Sequence, residues 1–276
     1  MRVFVAVDLE GIAGIVHSEE TTPDAREYSW ARQLMTQEAN AAIAGIFEVV
    51  PDAEVTVADV HGPYRNLVPD MLDSRVTLLR GKPRQYGMLD GIDRGYHLAL
   101  FLGAHAQAGA WPAVLSHTFT SCFLTVLVNG IAMGEIGLNA ALAGAFAVPV
   151  GLVAGDDAAV REATALLGDS IVGVVLKRAV SYQAAETVAP AQACAQLRAG
   201  ATEALRRWQL GQLRPFQVTP PVTVQVAFTS PFFADLAMLI DGVNRLDGRT
   251  ITFTRPTMPD AYRVLRLLTV LCSTPR

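Results

Sequence analysis

The sequence contains no run of lysine or arginine and no closely spaced pair of cysteines. Its formal net charge is -4 and its pI is near 5.7. Proteins that bind nucleic acids present basic surfaces to the phosphates, so this charge balance excludes nucleic acid as an expected partner. The three cysteines, Cys122, Cys194 and Cys272, are widely separated and form no metal-type motif. We predict that they are buried thiols of a protein in a reducing compartment, the cytoplasm.

Charged residues are also scarce, at 17% of the chain against 51% hydrophobic residues. The uncharged stretch of residues 136–155 could span a bilayer by its length alone. Pro149 interrupts this stretch and Asp156 closes it, so we interpret it as a helix, a turn and a buried strand, without membrane contact. We expect no signal peptide at the amino terminus, because Asp8 and Glu10 interrupt the apolar region that one requires. The apolar surplus is expected to lie in the subunit contacts of a homo-oligomer.

Six apolar segments, several of them separated by helical patterns, predict the strands of the fold. They are residues 2–8, 54–59, 75–80, 97–105, 123–130 and 148–156. Most are apolar throughout rather than at alternate positions, which is typical of parallel strands covered by helices on both faces. We therefore predict an α/β fold with a mostly parallel mixed sheet flanked by helices. A hairpin is expected at Asn129-Gly130, and Asp156-Asp157 is expected to cap a helix.

The composition of the chain changes after about residue 185. Residues 185–214 have a helical, solvent-facing pattern, and Pro220-Pro221 separates them from two strand-like segments and a final helix. This order of elements is typical of a small α+β unit. We predict a main α/β domain over residues 1–185, which would carry the catalytic and metal-binding residues, and a smaller C-terminal α+β domain over residues 186–276.

Asp8 and Glu10 end the first apolar segment, FVAVDLEG. In a strand, residues two apart point to the same side, so these carboxylates would face one crevice. A buried carboxylate is costly unless something compensates its charge. An isolated Asp-x-Glu is more often a solvated acidic turn, and only additional ligands in the sequence would favour the alternative, a metal ion.

Three histidines occupy positions where α/β enzymes place functional groups. His61 and His105 lie at the carboxyl ends of predicted strands, and His117 lies in a loop. Taken singly, each is more often a hydrogen-bonded structural residue than a ligand. If the first, second and fourth strands are neighbours, however, their carboxyl ends bring both strand-end histidines to the carboxylate pair.

Glu135 is the remaining candidate ligand, at the start of the predicted helix EIGLNAALAGAF. The alternative interpretation is an acid that stabilises the amino terminus of its helix. Carboxylates and imidazoles without a thiolate favour zinc in a hydrolytic site, and manganese or cobalt could substitute. His17, in a charged loop, and His97, at the start of a strand, are predicted to be structural.

The sequence resembles the zinc-dependent D-aminopeptidases of the bacterial dipeptide-operon type in five segments: AVDLEG, DVHG, LFLGAHA, LSHT and GEIGLNAALAGAFAVPVGLVAGDD. The resemblance covers nearly the whole chain, is strongest over residues 1–160, and becomes diffuse after about residue 185. It implies two zinc ions per subunit. Asp8 would bridge the two ions, Glu10 and His105 would complete one site, and His61 and Glu135 would complete the other.

The resemblance also implies a reaction and an assembly. His117 matches the family's catalytic histidine, and the substrates would be short peptides with an amino-terminal D-residue, typically D-alanine, hydrolysed by a metal-activated water. The family forms a decamer of two stacked five-membered rings, which would account for the apolar surplus. Val60 and Ala104 stand where the family has a polar residue and often a larger aromatic residue. These departures place substrate preference in question more than metal binding.

Two other functions are compatible with the same residues. A dinuclear metallohydrolase could use these ligands on another amide or on a phosphoester. A catalytically silent oligomeric binding protein is the alternative from another class. The presence of every expected ligand and of His117 argues against a silent protein.

Overall fold

The computed structural model describes residues 1–273, which form twelve strands and seven α-helices. The strands are β1 (Arg2–Val7), β2 (Glu54–Asp59), β3 (Thr77–Leu79), β4 (Leu98–Ala104), β5 (Phe123–Val128), β6 (Ile131–Ala132), β7 (Val150–Asp156), β8 (Val172–Ser181), β9 (Ala184–Thr187), β10 (Val222–Phe228), β11 (Val243–Arg245) and β12 (Thr250–Arg255). The helices are α1 (Ser18–Thr21), α2 (Tyr28–Val49), α3 (Glu135–Ala145), α4 (Asp157–Leu167), α5 (Pro190–Gln209), α6 (Pro231–Ala237) and α7 (Met258–Leu271). Short 3-10 helices lie at Pro69–Met71 and Gly87–Leu89.

The larger sheet contains seven strands in the order β3-β2-β1-β4-β7-β8-β9. All neighbouring strands in it run parallel except β8 and β9, which are antiparallel. The central strands are buried because α2 and α5 pack on one face, while α3 and the second sheet pack on the other. The prediction of an α/β fold with a mostly parallel mixed sheet is confirmed.

The smaller sheet is antiparallel, with five strands in the order β11-β12-β10-β5-β6. Helices α6 and α7 pack against it and share its apolar core. Its strands come from both sides of residue 185, since β5 pairs with β10. Helix α5, which follows residue 185, packs along α2 of the main unit. The domain division at residue 185 stays a prediction.

Several local predictions are confirmed. Asn129 and Gly130 have φ angles of 48° and 83°, as a tight hairpin turn requires, and they join β5 to β6. The Asp156 carboxylate caps α4 by accepting a hydrogen bond of 2.7 Å from a backbone amide in its first turn. His17 caps α1, and the ring of His97 accepts a hydrogen bond from a backbone amide of β1, so both histidines are structural.

The cysteine prediction is correct about the free thiols but wrong about their burial. Each of the three side chains is only partly buried. Cys194 lies on α5, while Cys122 and Cys272 lie just outside β5 and α7, so in each case one side stays accessible. The uncharged stretch 136–155 divides between α3, a turn and β7. Among residues 1–273, no helix has the length and apolarity needed to cross a membrane.

Candidate metal centre

The predicted ligands converge at one edge of the larger sheet. Strands β2, β1 and β4 are parallel neighbours, as predicted, so their carboxyl ends lie side by side. Asp8 directly follows β1, His61 follows β2 after one residue, and His105 directly follows β4. All three side chains are buried, as are those of Glu10 and Glu135. Because a buried acidic cluster needs compensation, the edge has the character of a binding site.

Glycine allows the segment after β1 to lie directly on β4. The Gly11 amide donates to the Gly103 carbonyl at 2.8 Å. A Cβ at Gly11 would lie 2.1 Å from the Ala104 carbonyl oxygen, and a Cβ at Gly103 would lie 2.1 Å from the Asp8 carbonyl oxygen. Gly103 also has a φ of 64°, which disfavours other residues. This close approach brings Asp8 and Glu10 next to the end of β4.

A buried lysine fixes the segment that follows β1. The Nζ atom of Lys177, on β8, donates to the carbonyl oxygens of Glu10, Ile12 and Ile15, the Ile12 bond being 3.0 Å long. The side chain is 1% exposed, and its three N–H donors have three acceptors. Sequence reasoning missed this residue, whose signal was a single cation inside the apolar segment VGVVLK. Lys177 fixes the backbone that carries the Asp-x-Glu pair.

The imidazoles of His61 and His105 lie against the carboxylates. His61 Nδ1 is 2.9 Å from Glu10 Oε2 and 3.3 Å from Asp8 Oδ1. His105 Nε2 is 3.3 Å from Glu135 Oε1 and 3.9 Å from Asp8 Oδ2. His105 Nε2 is also buried, and among residues 1–273 it has no hydrogen-bond partner. An unpartnered buried ring nitrogen that faces carboxylates fits a metal ligand.

The loop that carries His117 is fixed at its base. The Asp156 carboxylate, besides capping α4, accepts a hydrogen bond of 2.8 Å from the Val114 amide. His117 lies three residues further on, and its Nε2 is 3.7 Å from Glu135 Oε1. The His117 side chain is 29% exposed, unlike the buried candidate ligands, so it can meet a substrate.

The other ring nitrogen of each of these histidines contacts a backbone carbonyl. The acceptors are Thr21 for His61 at 2.8 Å, Ala106 for His105 at 3.1 Å and Leu115 for His117 at 2.9 Å. A neutral imidazole that donates from one nitrogen presents a lone pair at the other. In all three rings that second nitrogen faces the carboxylates, which is the usual orientation of metal-binding histidines.

Charge interactions within the cluster change the pKa of its members: burial opposes the protonation of His61 and His105, but the adjacent carboxylates outweigh it and raise the pKa of both rings. Burial, reinforced by the neighbouring carboxylate of Glu10, raises the pKa of Asp8 to about 7. Burial also opposes ionisation of Glu10, but the adjacent His61 outweighs it and lowers the pKa of that carboxylate. Burial, with the nearby His105 ring, lowers the pKa of His117. A bound cation would compensate the carboxylates, so the donor set fits a divalent metal.

The grouping of the ligand atoms partly matches the expected one. Asp8, Glu10 and His105 place one ligand atom each within 4.8 Å of one another, as do His105, His117 and Glu135. The first group is the predicted set for one ion. The second group differs from the predicted set, because it contains His117 with Glu135 where the prediction has His61 with Glu135. His61 lies beside Asp8 and Glu10 instead. The structure therefore gathers all six residues in one place, and their division between two ions stays a prediction.

The cluster opens into a cavity of about 130 Å³. Asp8, Glu10, His61, His117 and Glu135 form one part of its lining, and Val60, Gly62, Tyr64, Lys82, Met88, Phe119 and Arg266 form the rest. Lys82 and Arg266 were not identified from the sequence. Neither belongs to a recognised motif, and Arg266 reaches the cavity from α7, which is distant in the sequence. Val60, one of the family departures, lines this cavity, so it can affect what the cavity accepts.

A family model for D-aminopeptidases, peptidase M55, matches residues 1–267. The chain belongs to the D-aminopeptidase family. It is 33% identical over 274 residues to the D-aminopeptidase of Bacillus subtilis strain 168, covering 98% of this chain and 97% of that protein. The fold matches that of DppA from Bacillus subtilis, a zinc-dependent D-aminopeptidase and self-compartmentalizing protease, with a TM-score of 0.95, 31% identity and full coverage of both chains. Membership of the D-aminopeptidase family confirms the predicted resemblance and the assignment to the metallopeptidase class of hydrolases.

Proposed function

We propose that this protein is a zinc-dependent aminopeptidase that removes an amino-terminal D-residue, typically D-alanine, from short peptides by attack of a metal-activated water. The observation that carries the proposal is the orientation of three histidines, each of which has one ring nitrogen against a backbone carbonyl and the other facing buried carboxylates. Zinc dependence is a property of the solved relative. Its transfer to this chain is supported by the presence here of a donor set without thiolates.

The residues would hold two zinc ions, which manganese or cobalt could replace. Asp8, Glu10 and His105 would hold one ion, and His61 and Glu135, together with Asp8, would hold the other. When bound, the ions supply Lewis acidity toward the peptide carbonyl and lower the pKa of water. The protein's own contribution is to orient the ligands through Lys177 and the carbonyl-bonded imidazoles, and to bury them away from bulk water.

His117 would move a proton during the reaction. The Nδ1–H group of His117 donates a hydrogen bond to the Leu115 carbonyl. The lone pair of the ring is therefore on Nε2, which faces Glu135. Because the pKa of His117 is lowered, the ring is neutral near pH 7 and can accept a proton there. Once protonated, it can donate to the leaving amine or stabilise the oxyanion. A nucleophilic role is less favoured because water activation already supplies the nucleophile.

We further propose that the protein is a cytoplasmic homo-oligomer, a decamer of two five-membered rings. Three free cysteines support the reducing compartment. Large apolar side chains exposed on the single chain support subunit contacts, among them Trp111 at 84% and Leu239 at 80% exposure. The solved relative is a self-compartmentalizing protease, which requires an assembly of subunits.

The test combines metal analysis with a stereochemical panel. Purified protein should contain about two equivalents of zinc and hydrolyse D-Ala-D-Ala and D-Ala-p-nitroanilide but not the L-Ala counterparts. A chelator should abolish turnover, and added zinc should restore it. Hydrolysis of bis-p-nitrophenyl phosphate without D-peptide turnover would instead establish phosphoester chemistry. Metal-free protein that hydrolyses no substrate in the panel would establish a silent binding protein.

A further inference from the structure

Three cations lie close together beside the acidic cluster: Lys82 and Arg266 line the cavity of the metal centre, and Arg84 lines the adjoining cavity with them. The Lys82 Nζ atom lies 4.4 Å from the ring centroid of Tyr64, and the Arg84 guanidinium lies 4.5 Å from the same centroid. The Arg266 guanidinium lies 5.8 Å from the ring centroid of Phe119. Burial, together with Arg266 and Arg84, lowers the pKa of Lys82, which shows that these charges repel one another.

Two of these cations have no anionic partner among residues 1–273. Neither Lys82 nor Arg266 forms a salt bridge or donates a side-chain hydrogen bond there, and the Nε of Arg266 is buried without an acceptor. Arg84 differs, because it donates to the carbonyl oxygens of Asp59 at 3.0 Å and Leu79 at 2.8 Å. Arg84 is therefore held by the fold, whereas Lys82 and Arg266 present unused donors.

The position of these donors indicates what they bind. Lys82 and Arg266 line the same cavity of about 130 Å³ as five residues of the metal centre, Asp8, Glu10, His61, His117 and Glu135. With Phe119, they also line an adjoining cavity of about 530 Å³. The carboxylates of the cavity therefore suit a metal ion and a substrate amine, while Lys82 and Arg266 suit an anion. A short peptide with a free carboxylate has this distribution of charge.

We propose that Lys82 and Arg266 form a binding subsite for the carboxylate at the C-terminus of the substrate. The inference rests on the proposed aminopeptidase function and narrows its substrates to short peptides with a free C-terminus. Arg266 supplies the planar guanidinium that pairs with carboxylates, and Lys82 adds a mobile point charge at the rim. Neutral derivatives, such as peptide amides and anilides, lose this interaction and keep only the contacts at the metal centre.

The experiment compares three substrates that differ in the carboxylate: D-Ala-D-Ala, D-Ala-D-alaninamide and D-Ala-p-nitroanilide. Arg266→Met and Lys82→Met remove the charge but keep an unbranched side chain, and Arg266→Lys restores a cation. Arg263→Met is the matched control, since Arg263 lies on the same helix but is exposed and paired with Asp260.

The wild type should prefer the free acid to the amide. Arg266→Met should lower kcat/KM for D-Ala-D-Ala by about 10- to 100-fold, mainly through KM, because it removes a charge-assisted hydrogen bond. The amide and the anilide should change by less than about twofold, and Arg266→Lys should recover part of the loss. Lys82→Met should act in the same direction with a smaller effect, and Arg263→Met should leave all three substrates unchanged.

Two results would overturn the subsite. One is equal turnover of free acid and amide by the wild type, and the other is an equal loss on all three substrates in Arg266→Met. In either case, continued turnover of D-Ala-p-nitroanilide by the wild type leaves the proposed function standing. Absence of any D-substrate turnover by the wild-type protein overturns the proposed function and the subsite with it.

Discussion

The imidazole rings of His105 and His117 are stacked, with centroids 4.0 Å apart and planes inclined by 12°. Two imidazolium cations in this arrangement would repel each other strongly, and burial together with the His105 ring lowers the pKa of His117. The stack therefore places His117, the proposed proton acceptor, beside His105, which is one of the five proposed ligands.

The first prediction separates catalysis from metal binding at this stack. His117→Ala should yield folded protein with the wild-type zinc content and a kcat lowered by about 10²- to 10⁴-fold, since a proton-transfer group contributes this much. Zinc is quantified by mass spectrometry and kcat with D-Ala-p-nitroanilide. His97→Ala, which removes a structural histidine far from the cavity, is the control and should keep wild-type kcat. A kcat for His117→Ala within twofold of the wild type would remove His117 from the mechanism.

The second prediction concerns the ligand assignment. Glu135→Gln keeps an acceptor for the Phe119 amide, which lies 2.7 Å from Oε1, but removes the charge that a cation needs. We expect zinc to bind about 10- to 100-fold more weakly in this variant, and likewise in His61→Ala. Competition with a coloured chelator measures the affinity. Glu162→Gln serves as the control, because Glu162 is a nearby acid that accepts from the Gln107 amide outside the ligand set. Unchanged affinity in Glu135→Gln and His61→Ala would show that the assignment is wrong.

The third prediction is a pH dependence of stability that originates in Glu38, on α2. Its Oε1 accepts a hydrogen bond from the Ala13 amide, while its Oε2 is buried without a partner among residues 1–273. Burial raises the pKa of Glu38 from 4.5 to about 8. Between these values the folded protein keeps a proton that the unfolded chain releases, so this group's contribution to stability falls as pH rises. The slope for one such group is about 1.4 kcal/mol per pH unit.

Glu38→Gln tests this dependence. The variant should be more stable than the wild type near pH 8, and the difference should shrink towards pH 5. Urea unfolding of both proteins across this range, at equal protein concentration, gives the difference in free energy of unfolding. A difference that is constant with pH would exclude a protonated Glu38 in the folded state.

The fourth prediction concerns the lysine under the metal-binding segment. Lys177→Met keeps an unbranched side chain, one atom shorter, but leaves the carbonyls of Glu10, Ile12 and Ile15 without their donor. We expect a loss of roughly 3 kcal/mol or more in the free energy of unfolding and weaker zinc binding, because several buried acceptors lose their partner together. The exposed Lys82 offers the matched control, and Lys82→Met should change stability by less than about 0.5 kcal/mol. Wild-type stability and zinc affinity in Lys177→Met would show that the segment is held by other contacts.

Much of the site could be predicted because its ligands follow strands directly. Asp8 and His105 come immediately after apolar segments, and parallel strands place their carboxyl ends at one edge. The prediction depends on β1 lying between β2 and β4, and the observed β2-β1-β4 order confirms it. The fold class was predictable for the same reason, since fully apolar strands imply helices on both faces.

The rest of the site depends on contacts between distant parts of the chain. Lys177 acts on backbone carbonyls more than 160 residues away, and such acceptors carry no sequence signature. Arg266 reaches the cavity only because α7 packs beside the second sheet. The burial of Cys194 was overestimated because apolar composition does not specify which side of a helix faces the solvent.

The chain contains two lysines, and both belong to this region: Lys177 is enclosed beneath the metal-binding segment and Lys82 is exposed at the cavity rim. Amine-selective acylation of the folded protein therefore has a single accessible lysine, and its lowered pKa favours the reactive free amine. A covalent adduct at that side chain would sit at the mouth of the substrate cavity, so a tag for fluorescence or immobilisation introduced through lysine would also obstruct the entrance.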